Sequence, residues 1–273
     1  MAQSALECAN IALTKLGAPK ISALADADER AVAANLCIDP LRKSLLRSHP
    51  WNFAVKRRVV QATRTSITNV TEDGPTGWFK ISTGSTSGLS SGDGVTIASV
   101  VGCEAANGTW VCDSVIAGTS FLLRDADFSG SYTSGGTWTK AGAYGYAYAI
   151  ALPTDNLRVL RVNETTGTDY RVEAGYVLSD DDEYEIKYIY DVTDYTAFDP
   201  AFYDLLSTSL ALELAYRLSQ SSTLVEQLKD ALKKQMAHVR FVDASEDPAE
   251  MLGADDWIKS RFTFNSGWPR NIS

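Results

Sequence analysis

Glycine is concentrated in one part of the chain. Residues 66–139 contain 12 of the 19 glycines in the 273-residue sequence, together with many Ser and Thr, and short apolar runs recur there between turn residues. Glycine favours turns and weakens helices, so this segment is typical of a small all-β module. The flanking residues 1–48 and 199–242 are rich in Leu and Ala and poor in glycine, a composition that favours helices.

This distribution predicts an α+β fold class. We expect a host domain of about four helices and a small antiparallel sheet, formed by residues 1–65 and 140–254. Residues 66–139 would interrupt this host as a small, barrel-like all-β insertion. Residues 255–273 would then form an extended C-terminal arm.

Capping residues indicate where the helices begin. Ser4 and Glu7 have the S-x-x-E spacing of a capping box at the start of a first helix. Pro40 lies inside a helical run from about residue 26 to residue 48, and because it has no N–H the run should kink or divide into two abutting helices. An Asp-Pro pair at residues 199–200 should open a third helix, followed by a fourth in an antiparallel hairpin.

Alternation of large and small side chains indicates strands between the insertion and this hairpin. Large residues alternate with Gly and Ala over residues 144–152, and Pro153 ends the run. Further strands are predicted at residues 157–163, 170–178 and 184–190. We expect these strands to form one small antiparallel sheet packed on the helices.

Residue types that carry catalysis are scarce in this chain. It has two His and four Cys residues, without the CxxC or HExxH spacing of common zinc sites and without a GxSxG-type elbow. It also has no pattern typical of a secretion signal or a membrane span. The formal net charge of −9 disfavours dedicated binding of duplex DNA. We therefore expect no enzyme, no cofactor and no membrane association.

Two charged segments are candidate sites. Residues 180–183 are all acidic and could form a calcium loop or supply catalytic carboxylates, but they lack D-x-D-x-D-G spacing and fit a solvated turn better. Residues 42–58 contain six Lys and Arg, interleaved with Trp51 and Phe53, and could form a nucleic-acid patch. The alternative is that these cations complement a helix C-terminus and begin a strand.

The C-terminal arm combines large rings with cations but has no helical or strand period. Aromatic residues and Arg are the residue types of interface hot spots, so we expect the arm to bind in a partner's groove. The alternative is that it folds back onto its own domain. The predicted docking residues are Trp257, Arg261, Phe262, Phe264 and Trp268.

Four short motifs follow one another in a characteristic order. They are LGAP at residues 16–19, the run from DPLR to HPWNFA at residues 39–54, ALPTD at residues 151–155 and FDPAF at residues 198–202. Together they resemble the head-to-tail adaptor proteins of short-tailed bacteriophages, the tail tubular protein A-like family. The resemblance covers roughly residues 3–60 and 144–262, and HPWNFA is its most distinctive piece. The insertion resembles a β module that recurs in phage tail proteins, although simpler adaptors lack it.

The resemblance implies a structural role in the virion. Such adaptors form a ring of twelve subunits between the portal protein and the tail nozzle protein, and tail fibres are a further partner. Genomic DNA would pass through the lumen without specific binding, because an acidic ring repels the DNA backbone. The implied location is the phage neck, with the host cytoplasm as the site of assembly.

Two other functions stay open at this point. A carbohydrate- or receptor-binding module would use Trp78, Trp110 and Trp138 of the insertion as stacking platforms, although the same residues fit a barrel core equally well. A tail-associated glycan hydrolase would need two carboxylates. The clustered candidates are residues 180–183, Asp191 and Asp194.

Overall fold

The computed structural model describes residues 3–142, 145–163, 169–218 and 221–246, which form four α-helices and twelve β-strands. The helices are α1 (Ala5–Lys15), α2 (Glu29–Ser48), α3 (Pro200–Leu218) and α4 (Ser222–Glu246). The strands are β1 (Val55–Gln61), β2 (Arg64–Glu72), β3 (Trp78–Thr83), β4 (Gly94–Val101), β5 (Gly108–Ile116), β6 (Ser120–Asp127), β7 (Ser134–Lys140), β8 (Tyr148–Ala151), β9 (Asn156–Val162), β10 (Tyr170–Glu173), β11 (Tyr176–Ser179) and β12 (Glu183–Tyr190).

The four helices form one layer with α3 at its centre. α3 packs against α1, α2 and α4, and it is buried on most of its circumference. Even Ser207, Thr208 and Ser209 are buried, and each donates its hydroxyl to a backbone carbonyl one turn earlier in α3. A helix buried on most of its circumference in this way is the core element of its layer.

The N-terminal ends of α1 and α2 are capped by side chains. The Ser4 hydroxyl accepts a hydrogen bond from the Glu7 N–H at 3.1 Å, which is one half of the capping box predicted for α1, while the Ser4 N–H donates to the Tyr203 hydroxyl at 3.3 Å. The Asp28 carboxylate accepts one from the Arg30 N–H at 2.8 Å and starts α2. Because each capping residue lies only two or three positions from the N–H that it binds, such contacts can be predicted from the sequence.

The helical run around Pro40 does not divide into two helices. α2 is one helix from Glu29 to Ser48, so the predicted division into two abutting helices is wrong. Pro40 is exposed and removes only one backbone donor, whereas buried side chains on both sides of it, such as Ile38 and Leu45, belong to the same helical core. The packing of both halves of α2 on the helical core outweighs the tendency of Pro40 to break the helix.

The insertion is a closed six-stranded antiparallel barrel. Its strand order is β2-β3-β6-β5-β4-β7, closed by pairing of β2 with β7. Phe79, Phe121 and Trp138 fill its core together with aliphatic side chains. Arg64 pairs with Thr139, so the two ends of the barrel lie side by side. The barrel fits the insertion predicted for residues 66–139.

The rest of the chain contains two three-stranded antiparallel sheets, so the predicted fold class, with one small sheet, was wrong. The sheets have the orders β1-β12-β9 and β10-β11-β8. The strand predicted at residues 170–178 is a hairpin instead, because Ala174 and Gly175 adopt φ of +47° and +83° and reverse the chain. From the predicted run 144–152, only Tyr148–Ala151 is assigned as a strand, and it pairs with β11.

The β1-β12-β9 sheet lies between the second sheet and the helical layer. Tyr184 and Tyr188 of β12 pack with Ile150 and Val177 of the second sheet in a separate small core. Ile189, on the opposite face of β12, belongs to the helical core. Among the described helices, none is long and apolar enough to cross a membrane.

Candidate functional site

The HPWNFA motif forms an aromatic joint between α2, α3 and β1. Trp51 is 1% exposed, and its Nε1 donates to the Leu45 carbonyl near the end of α2 at 2.9 Å. The Trp51 and Phe53 rings lie 5.2 and 5.0 Å from the Phe202 ring of α3, in edge-to-face contacts. Phe53 also contacts Phe198 at 5.8 Å. The aromatic joint (Trp51, Phe53, Phe198 and Phe202) therefore brings the motifs at residues 39–54 and 198–202 together.

The same motif holds the end of α4. The His49 ring Nε2 lies 3.1 Å from the Asp243 carboxylate, and the Asn52 N–H donates to the other carboxylate oxygen at 2.9 Å. The Asn52 side-chain amide donates to the Asp243 carbonyl at 2.9 Å. A hollow of about 200 Å³ lies beside this contact, and Glu246, the last described residue of α4, lines it.

Arg42 is a buried cation that joins α2 to the segment after β12. It is 2% exposed and donates to the Asp191 carboxylate, to the Val192 carbonyl at 2.5 Å and to Asp39 at 3.3 Å. Burial alone would lower the pKa of Arg42, but its hydrogen bonds and the charges of Asp191 and Asp39 outweigh burial and raise it. A cation enclosed in this way stabilises a particular packing and does not reach a ligand.

The other cations at residues 42–58 do not form one surface. Arg47 donates to the Leu157 carbonyl at 2.7 Å, and Lys56 contacts Asp155 at 3.0 Å and the Tyr190 ring at 3.5 Å. The structure therefore disperses the proposed nucleic-acid patch, and most of its members hold neighbouring elements together.

Of the remaining three, Lys43 lies 3.6 Å from the Asp191 carboxylate, and Arg57 and Arg58 line a basic cleft on the β1-β12-β9 sheet beside Pro50. The cleft has a volume of about 500 Å³. Its apolar lining is Val59, Leu160 and Ile186, and its polar lining is Arg57, Arg58, Arg161, Asn163, Glu185 and Lys187. Arg57, Lys187 and Arg161 are register partners on one face of the sheet, whereas Arg58 pairs with Ile186, which is buried in the small core on the other face.

Three of these cations form a row across the sheet. Arg57 is the register partner of Lys187, and Lys187 is the partner of Arg161. Like charges directly opposite each other destabilise a sheet. Within the described part of the chain, no carboxylate lies within 4.0 Å of the Lys187 amine or the Arg58 guanidinium. The register thus brings three cationic residues to neighbouring positions of one sheet.

The acidic residues at 180–183 form a turn whose carboxylates contact neighbouring protein groups. Asp180 accepts from the Ala147 N–H at 3.0 Å, Asp181 from the Tyr184 hydroxyl at 3.0 Å, and Asp182 contacts Arg64 at 2.5 Å. Among the described residues, no group of three or more His, Cys, Asp and Glu side chains could hold a metal ion.

The two further carboxylates considered for a hydrolase are also engaged. Asp191 binds Arg42, and Asp194 accepts hydrogen bonds from Thr196, which lower the pKa of Asp194. Each therefore has a local structural role. The carboxylates of the turn at residues 180–183 bind neighbouring protein groups as well. The structure therefore does not favour a catalytic pair formed by two of these carboxylates.

The three Trp residues of the barrel differ in exposure. Trp138 is 3% exposed and donates from Nε1 to the Thr83 hydroxyl at 3.1 Å, so it is a core residue. Trp110 is partly exposed and lines a cleft of about 360 Å³ with Arg124 and Asp125. Trp78 is partly exposed as well. The structure thus excludes Trp138 as a stacking platform.

The predicted docking residues of the arm lie outside the described residues. They are Trp257, Arg261, Phe262, Phe264 and Trp268. Sequence reasoning missed the basic cleft, because its row appears only when the strand register is known. The signal present in the sequence was that three predicted strand regions each contain at least one cation, among them Arg57, Arg161 and Lys187.

No family model matches this chain, and no curated protein matches it.

Proposed function

We propose that this chain is a structural virion protein, a head-to-tail adaptor that joins the portal of a short-tailed bacteriophage to its tail nozzle. The observation that carries the proposal is the aromatic joint. Residues 39–54 and 198–202, two of the motifs on which the resemblance rests, pack on one another through Trp51, Phe53, Phe198 and Phe202. Because the two motifs contact each other, they belong to one structural unit. This supports the interpretation that together they are a signature of the adaptor family.

A third motif supports the same unit. Asp155 of ALPTD contacts Lys56, two residues after HPWNFA, at 3.0 Å. The Tyr188 hydroxyl donates to the same carboxylate at 3.2 Å. The motif residues thus set how the helical layer, β1 and β12 are joined, which is the kind of role expected of a building block in an assembly.

In this proposal the chain works by geometry and charge, without a catalytic step or a cofactor. Twelve acidic copies form a ring that continues the DNA channel, and their negative charge keeps the DNA backbone from binding during ejection. The portal protein and the tail nozzle protein bind its two ends, with tail fibres as a further partner. The C-terminal arm supplies the docking residues for the portal, and the location is the virion neck after assembly in the host cytoplasm.

The test is assembly on a portal. Purified chain is titrated onto portal particles of a short-tailed phage, and the mass of the complex is measured at saturation. We expect a fixed twelve copies per portal, since a closed ring admits a single stoichiometry. Saturation at one or two copies, or no binding, contradicts the adaptor function.

A carbohydrate- or receptor-binding role for the barrel is the second candidate, and the cleft at Trp110 is the observation that favours it. The partly exposed Trp110 ring, whose Nε1 donates to the Ala106 carbonyl at 2.9 Å, lies beside Arg124 and Asp125, so a stacking surface adjoins polar groups that can bind sugar hydroxyls. Binding of the full chain to a glycan array, lost in Trp110→Ala and kept in Trp78→Ala, would support this role.

A further inference from the structure

We propose that neighbouring copies of this chain bind one another through an exposed stripe of α2 on one subunit and an exposed stripe of α4 on the next. The proposal deepens the proposed function and rests on it, because it names the helices that join adjacent subunits of the ring. Exposed apolar side chains, matching helical spacing and complementary charge carry it.

The two most exposed large apolar side chains in the described part of the chain lie on different helices. Phe241 of α4 is 74% exposed, and Leu36 of α2 is 69% exposed. Val32, one turn before Leu36, is 54% exposed. Single exposed apolar residues are common at protein surfaces, so the surroundings of these three decide whether they mark an interface.

The side chains around them form one stripe on each helix. Successive members are three or four residues apart, which places them on the same helix face, and every member is exposed. Alternation of three and four residues is the spacing of helices that pack side by side. The α2 stripe is Glu29, Val32, Leu36, Asp39 and Lys43, and the α4 stripe is Asp230, Lys234, Ala237, Phe241 and Ala244.

Antiparallel pairing of the two stripes places complementary side chains opposite each other. Two pairs are apolar and combine a larger with a smaller side chain, and two pairs have opposite charge. Parallel pairing in the same spacing gives a single pair of opposite charge, so charge complementarity favours the antiparallel arrangement. The antiparallel pairs are Val32–Phe241, Leu36–Ala237, Asp39–Lys234 and Lys43–Asp230, with Glu29 opposite Ala244.

The charged members of the stripes are available to a second copy. Among the described residues, no oppositely charged group lies within 4.0 Å of Asp230 or Lys234. On α2, Asp39 lies 3.3 Å from the Arg42 guanidinium and Lys43 lies 3.6 Å from a carboxylate, but both side chains are more than half exposed. Exposed charges of this kind orient a partner more than they add affinity.

The two stripes of one subunit lie apart. Asp243, two positions after Phe241, contacts His49, the residue that follows α2. Leu36 lies 13 positions before His49, which is a rise of about 20 Å along α2. Each subunit therefore offers α2 to one neighbour and α4 to the other. Such a heterologous contact closes into a ring when its rotation permits, and many copies strengthen a contact that is weak between two subunits.

Photocross-linking of the full chain tests the contact. Benzoylphenylalanine in place of Phe241 keeps an aromatic ring and, on illumination, bonds to C–H groups that touch it. Chain with this probe is mixed with isotope-labelled chain without it, once alone at high concentration and once on portal particles. Mass spectrometry should locate the product on residues 29–36 of the labelled chain. The same probe in place of Ile116, an exposed apolar residue of the barrel, should give no such product.

The outcomes separate this contact from the adaptor function. An α2 product between chains in either sample supports the contact, even if the chain does not bind the portal. Twelve copies on the portal without an α2 product in either sample support the adaptor function but overturn the contact. Products within one chain, or with residues 247–273, assign Phe241 to another occupant and also overturn it.

A charge exchange tests the antiparallel pairing. Asp230→Lys or Lys43→Glu alone, introduced into both chains of the mixture, places like charges opposite each other and should lower the yield of the α2 product about three- to tenfold. The two changes together restore opposite charges, so the yield should return to within about twofold of the parent. A double variant without recovery contradicts the pairing.

An apolar variant provides a test that leaves the neighbours of Arg42 unchanged. Leu36→Ser removes an exposed side chain, so Tm should stay within about 2 °C of the parent while the yield of the α2 product falls about tenfold. Ile116→Ser is the matched control and should keep the parent yield. Equal yields in the two variants overturn the proposal.

Discussion

Two tyrosines of the helical region differ in whether the hydroxyl has a partner. The Tyr203 hydroxyl donates to the Ser4 carbonyl at 2.8 Å and accepts from the Ser4 N–H at 3.3 Å. The Tyr195 hydroxyl is buried and has no hydrogen-bond partner among the described residues. Burying a hydroxyl removes its hydrogen bonds to water, which destabilises the folded chain. A hydrogen bond within the protein offsets this cost, but an unpaired hydroxyl has no such compensation.

We therefore expect Tyr195→Phe to stabilise the chain and Tyr203→Phe to destabilise it. Removing the unpaired Tyr195 hydroxyl should raise the free energy of unfolding by about 1 kcal/mol at pH 7. Removing the Tyr203 hydroxyl leaves the Ser4 N–H without its partner, while the Ser4 carbonyl keeps its hydrogen bond from the Cys8 N–H, and should lower the free energy of unfolding by about 1–2 kcal/mol. Urea unfolding of the two single variants and the parent measures both effects.

Alkaline pH should increase the difference in the free energy of unfolding between Tyr195→Phe and the parent. Burial, followed by the charges of neighbouring groups, raises the pKa of Tyr195 to about 12 from an ordinary value near 10. The unfolded chain therefore loses this proton first, and stability present below pH 10 is lost as the pH rises towards 12. Tyr195→Phe removes that loss, so its advantage over the parent should grow between pH 9 and pH 11. An advantage that stays constant over this range would contradict the raised pKa.

At the scale of elements, the β10–β11 hairpin depends on a turn with an unfavourable residue. Ala174 adopts φ of +47°, a conformation that costs a residue with a Cβ atom about 1–2 kcal/mol. Gly175 follows at φ of +83° and bears no such cost. Asn-Gly and Gly-Gly are the preferred pairs for this two-residue turn.

Substitutions at these two positions should change stability in opposite directions. Ala174→Gly should raise the free energy of unfolding by about 1 kcal/mol, because it relieves the strain at φ of +47°. Gly175→Ala should lower it by about 1 kcal/mol through backbone strain alone, since no atom lies within 4 Å of a Cβ placed there. Denaturant unfolding measures both, and a destabilising Ala174→Gly would contradict the turn geometry.

This turn also explains why the sheets were harder to predict than the helices. The start of α1 depends on Ser4 and Glu7, which are close in sequence, so the capping pattern indicated it. The division of residues 170–178 depends on Ala174, a residue with no preference for a left-handed conformation. Pairing with β8 and with the cleft strands is long-range, and a single sequence does not encode that register visibly.

At the scale of the whole molecule, the same limit applies to the candidate site. The sequence singles out HPWNFA as a distinctive motif, and the structure places its Trp51 and Phe53 rings together in the aromatic joint. The basic cleft could not be found in this way, because Arg57 and Lys187 become neighbours only after β1 pairs with β12. The negative net charge of the whole chain also gives no indication of a local group of cationic residues.

The C-terminal arm contains the residues proposed to dock on the portal. Residues 257–268 include its four large rings. Replacing Trp257, Phe262, Phe264 and Trp268 with Ser should weaken portal binding by at least about 100-fold, since such rings supply most of the binding free energy at interfaces.

Two matched variants control for changes other than the loss of the rings. Neutralising Asp247, Glu250, Asp255 and Asp256 as Asn or Gln changes the charge before the rings but keeps the rings, so portal binding should stay within about tenfold of the parent. Ile116→Ser, at an exposed apolar position of the barrel, is the control for the loss of a surface apolar group and should leave binding unchanged. Binding is measured by titration onto immobilised portal particles. If the variant without rings binds as tightly as the parent, the arm is not the docking element, and if neutralisation alone abolishes binding, charge and not the rings carries the docking.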